Sequence, residues 1–395
     1  MHLAVVTPQP TPYRDPFWNA VAAVPGVELD VFYCVAGTAD RPWQRDWQCR
    51  FHAEVLPRRW LPGLDGCYWN PQVAERLAAK PYDAVLLGGY NHLTMLRAMV
   101  ACRRRGVPYL LMCESFLGLV RPRWRRVVKG PLVRWVVRRA AGLLPTGQLA
   151  REYLLSYGGP GDRVCLVPNS PDLEGLRRQA LELEPQRQEL RHERRWGDEP
   201  VVLFVGRLIW KKGVDVLIEA VGRLDRPVRL VIAGDGPERP KLERLARRLS
   251  RGWVEFVGFR QPAELPRWYA AADVFCLPSL TEPWGVVVME ALASGLPVVV
   301  TDRVGCYPDV LNSPRVGQAV PAGDAAALAC AIKEYVERRP SRAEVHQAWQ
   351  PVVDRMRHER VAAELVELVR QVCGERGARS RERRARSGEV RVFGE

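Results

Sequence analysis

Along the chain, short apolar runs alternate with longer stretches in which apolar residues recur every three or four positions. In the first half the runs are LAVVT (3–7), LDVFYCV (29–35), DAVLLGG (83–89) and PYLLMCE (108–114), with helical patterns at FWNAVAAV (17–24) and TMLRAMVACRRRG (94–106). Apolar runs of this length bounded by Gly or Pro read as buried strands, and strand–helix–strand alternation predicts parallel βαβ units. A second alternation begins at VVLFVG (201–206) and continues through VDVLIEAVGRL (214–224), VRLVIAGDGP (228–237), KLERLARRL (241–249), WVEFVGF (253–259), LPRWYAAA (265–272), VFCLP (274–278) and LPVVVTD (296–302).

The pattern predicts an α/β protein of two Rossmann-like domains, 1–175 and 200–350, joined by a charged linker at 176–199. A helical pattern follows at 351–373. The last stretch, 374–395, carries seven Arg, four Glu and few apolar groups, and is expected to be a disordered tail because it has too little to bury. Residues 36–72, rich in Trp, Arg, Pro and Gly, read as an irregular excursion from the sheet. In 119–140, Pro131 predicts two short helices rather than one.

With 395 residues, 47% of them apolar, the chain has enough material for two cores. Its net charge of +14 suggests anionic partners. The excess is carried by 53 Arg against 6 Lys, with no zinc-finger, ribonucleoprotein or basic-zipper pattern, so no nucleic-acid partner is expected. Ten cysteines without a C-x-x-C pair read as free thiols in a reducing compartment, and the N-terminus lacks the pattern of a secretory signal. A cytoplasmic protein is expected. The longest apolar tract, Trp284 to Val300, contains Glu290 and two glycines and does not span a membrane. The stretch 119–140 has eight basic residues, no acid, and Trp124 and Trp135 among valines. It reads either as a domain helix with a solvated basic face or as a peripheral contact with an anionic membrane at the inner face.

In an open α/β sheet, ligands bind beyond the carboxyl ends of the strands. Three such loops carry candidate chemistry. Gly206-Arg207-Leu208-Ile209-Trp210-Lys211-Lys212-Gly213 places an Arg fork and a Lys point charge where they could neutralise a diphosphate, or forms a solvated turn. Gly234-Asp235-Gly236-Pro237 lacks the third glycine of a dinucleotide fingerprint, Arg239 standing in its place, which weakens a nicotinamide reading. Glu282 and Glu290 lie eight residues apart, the first in a loop and the second in the helix after it. Unpaired amides and the helix dipole attract phosphate at such a helix start, while carboxylates accept from sugar hydroxyls. A sugar nucleotide has both kinds of group.

In order and spacing, VGRLIWKKG, VIAGDGP, VEFVGF and PSLTEPWGVVVMEALASGLPVVVTD resemble the retaining glycosyltransferases of family 4, group 1 type, over about 200–310. That resemblance implies the GT-B fold, in which two Rossmann-like domains face each other across a deep cleft and a C-terminal helix, here 351–373, crosses back to the first. It further implies that Arg207 and Lys212 hold the diphosphate, that Glu282 contacts the transferred sugar, and that Glu290 contacts the nucleotide ribose. Backbone amides around Trp284, Gly285, Val286 and Val287 would reach sugar and phosphates, with Gly206 and Gly236 in the loops beside them. The family often has a Gly-Gly loop after its first strand. This chain has Pro10-Thr11-Pro12-Tyr13-Arg14 there, so Arg14 either reaches the phosphate or belongs to the following helix. His92, in Gly88-Gly89-Tyr90-Asn91-His92, falls near the position where many members place an active-site His. Glu114 closes a strand on the cleft side.

The expected reaction is transfer of a hexose-type sugar from a nucleoside diphosphate sugar to a hydroxyl of a glycan, glycolipid or small-molecule acceptor, with retention and without metal or other cofactor. Cell-envelope polysaccharide, glycolipid or glycoside synthesis is the expected setting, and acceptor choice is expected in 36–72 and 90–140. A GT-B epimerase or phosphorylase would share the cleft. A catalytically silent scaffold would retain the fold without turnover.

Overall fold

The computed structural model describes residues 1–38, 48–60, 66–119, 123–249 and 253–389, with side chains undescribed for 123–128 and 376–389. Much of the 36–72 excursion, the start of the basic stretch including the side chain of Trp124, and the last six residues of the tail lie outside these bounds.

Twelve strands form two six-stranded sheets. The N-terminal sheet contains β1 (His2–Thr7), β2 (Glu28–Tyr33), β3 (His52–Val55), β4 (Ala84–Leu87), β5 (Tyr109–Cys113) and β6 (Gly142–Pro145). Its order is β3-β2-β1-β4-β5-β6. The C-terminal sheet contains β7 (Val201–Val205), β8 (Arg229–Ala233), β9 (Val254–Gly258), β10 (Val274–Leu277), β11 (Val298–Thr301) and β12 (Gly317–Val320), in the order β12-β11-β10-β7-β8-β9. Every named pairing is parallel. Both sheets thus have the doubly wound order, with the switch point at the first strand of each. Parallel strands covered on both faces need apolar residues at every position, which is why β4, β7 and β10 are continuous apolar runs with no exposed residue.

The charged stretch read as a linker is part of the C-terminal domain. It forms helices at Leu173–Leu183 and Arg187–Glu193, and Leu173, Leu190 and Trp196 join that domain's core. Buried Arg191 replaces hydration with carbonyl and carboxylate partners, bonding Gly197, Glu199, Ala271 and Asp273. The chain passes between domains at two adjacent points. Helix Arg342–Met356 packs on the C-terminal core through Val345, Trp349, Val352 and Val353. A new helix, His358–Glu389, then crosses to the N-terminal domain, burying Val361, Leu365, Val366 and Val369 beside Phe17 and Trp18. The crossing therefore starts at 358, not 351. His358 Nε2 lies 2.9 Å from the Ser170 carbonyl and Arg357 pairs with Glu174 at 2.8 Å, so the two crossings brace each other.

Two expectations are corrected. The backbone remains helical through Glu389, where a disordered tail was expected from 374. The Ala, Arg and Glu residues of that stretch favour helix intrinsically, so a helix packed through Val372 propagates into it. Residues Arg123–Arg139 form one helix with Pro131 inside, not two. Burial of Val133, Val136 and Val137 in the N-terminal core offsets the cost of about 3 kcal/mol for an internal Pro.

Candidate active site

The loops after β7, β8 and β10 are tied together by main-chain bonds. Leu208 N–H donates to Asp235 O at 2.8 Å, Glu238 N–H to Leu208 O at 3.0 Å, and Leu280 N–H to Lys211 O at 2.8 Å. A Cβ at Gly236 would overlap the Leu208 carbonyl, so glycine there permits the close approach. Lys212 ends a short 3-10 turn, Trp210–Lys212, and its Nζ pairs with Glu282 Oε2. Their side chains are 15% and 16% exposed, so the ion pair is shielded but open on one side. Arg207 stands exposed on the same loop.

Glu282 is held by its backbone, with its N–H bonded to Arg303 O and its carbonyl to Gly305 N–H, both at 2.9 Å. Three residues on, Gly285 turns the chain into helix Val286–Ala293 with φ 102°, a left-handed conformation that disfavours a side chain. No side chain caps this helix, and while Val288 N–H bonds the Gly285 carbonyl at 2.9 Å, the Val286 and Val287 amides are left to an anion. Val286 and Val287 occupy that turn, and Glu290 follows one turn further in. The Tyr269 hydroxyl donates to Glu290 Oε2 at 2.9 Å. Burial pushes the Glu290 carboxyl above its ordinary pKa, and the Tyr269 bond opposes that rise.

Trp284 does not face this turn. Its side chain is buried, and its indole N–H donates to the Asn169 carbonyl of the N-terminal domain at 3.0 Å. Two further bonds join the domains. Gln148 N–H, at the start of helix Gln148–Ser156, donates to Asp309 Oδ2 at 3.0 Å, and Arg303 donates to Gly118 O at 3.0 Å. Desolvation pushes the Asp309 carboxyl up to about 6, opposed by the Gln148 amide and by Arg355.

On the N-terminal wall, Arg14 is buried, donates to Val167 O at 3.3 Å and lies 4.0 Å from Glu114 Oε1. Burial lowers its pKa while Glu114 raises it. Arg14 is thus packed into its own domain. Glu114, just beyond β5, accepts from Asn169 Nδ2 at 2.7 Å. His92 precedes helix Leu93–Arg105, stacks on Tyr68 at 4.3 Å, and accepts the Tyr68 N–H on Nδ1 at 3.2 Å. Desolvation and Arg58 lower its pKa, so the neutral ring carries its proton on Nε2.

The structure therefore brings Lys212 and Glu282 into contact, places the Glu290 helix directly after Glu282, and joins Arg14, Glu114 and Asn169 on the facing wall. Tyr269, Asn169 and Asp309 were not read from sequence. Tyr269 lies in the apolar period of LPRWYAAA, and the other two act across domains, for which no local pattern exists.

Residues 186–350 match the family model described as Glycosyl transferases group 1, and residues 4–170 match that described as Glycosyl transferase 4-like domain. A D-inositol 3-phosphate glycosyltransferase 2 of Catenulispora acidiphila is 35% identical over 312 residues, covering 71% of this chain and 69% of its own. An uncharacterised glycosyltransferase of Methanocaldococcus jannaschii is 46% identical over 111 residues, covering 27% of this chain and 28% of its own. Several further curated relatives are also matched over less than two thirds of their length. The crystal structure of Anabaena HepE in complex with UDP superposes with TM-score 0.71 at 20% identity, covering 94% of this chain and 100% of that one.

Proposed function

Because the chain belongs to the group 1 glycosyltransferases and has their GT-B fold, we propose that it transfers a hexose-type sugar, with retention, from a nucleoside diphosphate sugar to an acceptor hydroxyl. The observation that carries this reading is the Lys212–Glu282 pair beside the uncapped start of helix Val286–Ala293. Lys212, Arg207 and the helix start offer positive charge where a diphosphate leaves, and Glu282 offers an acceptor for a sugar hydroxyl. Pre-placed charge of this kind needs little reorganisation as the bond to the leaving group breaks. Glu290 would accept from the ribose hydroxyls in its ionised form. Metal independence is part of the proposal and follows from the family resemblance together with this cationic set. The presence of UDP in the HepE structure supports a nucleoside diphosphate as the leaving group.

A setting in glycolipid or envelope-glycan synthesis at the inner face of a membrane is part of the same reading. Its support is the basic helix Arg123–Arg139, where Arg103 and Arg139 flank the ring of Trp135 at 5.6 and 5.1 Å and Leu132 is exposed. Each basic group near an anionic surface contributes about 1 kcal/mol. Among the described residues no helix is long and apolar enough to cross a membrane.

The test is incubation with a panel of nucleoside diphosphate sugars and polyol acceptors, with diphosphate release read by chromatography and product configuration by NMR. Acceptor-dependent release with the sugar's anomeric configuration unchanged supports the proposal. An inverted product, or release of free sugar alone, contradicts it.

A further inference from the structure

We propose that a cavity at the amino ends of β10 and β11, at the opposite end of the C-terminal sheet from the candidate active site, binds the phosphoryl group of a small molecule through Arg187, Arg339 and Arg342. The inference does not depend on how the cleft is read.

The cavity has a volume of about 470 Å³, more than a free phosphate fills and within the range of small-ligand pockets. Its wall carries four guanidiniums, Arg187, Arg191, Arg339 and Arg342, and three carboxylates, Glu184, Asp198 and Asp273. Asp273 is already committed. It accepts from Arg187 Nη2 at 2.7 Å, from Arg191 Nη1 at 3.1 Å and from the Val201 N–H at 2.8 Å. Glu184 and Asp198 are exposed and make no ion pair among the described residues, so water screens them.

Arg342 forms the floor. It is 8% exposed, and its partners are carbonyls rather than acids. Nη1 donates to Ser294 O, and Nη2 donates to Tyr269 O, Ala270 O and Ala272 O at 3.0, 2.7 and 3.2 Å. These carbonyls end helices Leu265–Ala271 and Val286–Ala293, so one guanidinium satisfies two C-termini. Arg187, its side chain 24% exposed, lies alongside, because its Nη1 donates to the same Ala270 and Ala272 carbonyls at 3.1 and 2.7 Å. Burial and the neighbouring Arg187 push the Arg342 pKa down to about 10, opposed by Glu184 and Asp273. Burial lowers the Arg187 pKa as well, with Arg191 and Arg339 adding to the fall and Asp273 opposing it. The cluster is thus short of negative charge, which an anion in the cavity would supply.

Arg339 reaches the cavity from another element. It follows helix Ala325–Arg338 with φ 44°, a left-handed position where glycine is usual. Its Nε donates to Val336 O at 3.3 Å, and among the described residues its Nη atoms donate to no protein group. Exposed at the rim, it offers a free bidentate fork above a floor that carbonyls hold in place. Three guanidiniums from separate segments match the three terminal oxygens of a phosphoryl group, whereas a carboxylate offers two.

The test is titration calorimetry of the full-length protein with ribose 5-phosphate, inorganic phosphate and ribose. At least one phosphoryl probe is expected to bind tenfold or more tightly than ribose. Arg339→Gln should weaken that binding about tenfold and Arg339→Lys, which keeps the charge, by less, while Lys212→Met in the cleft leaves it within twofold of wild type. Tighter binding of ribose 5-phosphate than of phosphate names a phosphorylated metabolite as the occupant, and the reverse order names the free ion, both in support of the site. Binding of neither phosphoryl probe, equal binding of ribose, unchanged affinity in Arg339→Gln, or loss of binding in Lys212→Met instead would overturn it.

Discussion

The Trp284 indole N–H donates to the main-chain carbonyl of Asn169 at 3.0 Å, so a residue of the segment from Glu282 to Glu290 is anchored on the opposite domain. Trp284 lies two residues after Glu282 and immediately before Gly285, which turns the chain into the Glu290 helix. Separation of the domains at this point pulls on the segment between Glu282 and that helix. Closure and site geometry are therefore coupled through one side chain.

Trp284→Phe keeps an aromatic ring and deletes the donor. A single neutral hydrogen bond contributes about 1 kcal/mol, so nucleotide-sugar affinity should fall roughly fivefold. Titration calorimetry checks this, and an unchanged affinity would remove Trp284 from the coupling.

Lys212→Met and Glu282→Gln each break the ion pair at the centre of the site. Turnover should fall by roughly 10²-fold or more in both, the range found when one group that stabilises developing charge is lost. Circular dichroism should show an intact fold. Normal turnover in both well-folded variants would sink the assignment.

The alternation of apolar runs made both Rossmann-like halves legible, because parallel strands buried on two faces leave a continuous apolar signature. β3 (HAEV), β6 (GLLP) and β12 (GQAV) were not read as strands: β3 and β12 are edge strands that are partly solvated and carry polar residues, and β6 is a buried run too short to stand out between Gly and Pro. The placement of Lys212 and Glu282 on loops beyond strand ends, and of Glu290 in the helix that follows, was legible because glycines punctuate those turns. The role of Arg14 was left open by the sequence. The Val167 carbonyl that holds it is 153 residues away, and contacts of that kind leave no local trace. Asp309 in YPDV carries no local signal, and only the fold sets it against the Gln148 amide, 161 residues distant.

Asp309 gives a pH dependence with a defined sign. Its carboxyl pKa rises from an ordinary 3.8 to about 6 on folding, so the folded state holds more protons than the unfolded state between these values. The stabilisation this provides is complete below about pH 4 and is lost as pH rises through 6. Two pKa units correspond to about 3 kcal/mol. Asp309→Asn should flatten this fall in denaturant unfolding across pH 4 to 6, and an unaltered pH profile would contradict the assignment.

Tyr269→Phe removes the hydroxyl whose hydrogen bond favours the charged form of the Glu290 carboxyl. The Glu290 pKa, already raised by burial, should rise further. Nucleotide affinity should then fall roughly tenfold near neutrality, the loss of a hydrogen bond to a charged group, and recover as pH increases. Equal losses at all pH values would show that Tyr269 acts by packing alone.

The most direct measurement is thermal stabilisation of the wild-type protein and Lys212→Met by uridine, guanosine and adenosine diphosphates. A ligand that binds only the folded state stabilises it with the logarithm of its concentration over the dissociation constant. The account predicts stabilisation of the wild type by one diphosphate above the others, and a much smaller shift for Lys212→Met at the same concentration. No shift with any diphosphate, or equal shifts in the two proteins, would contradict it.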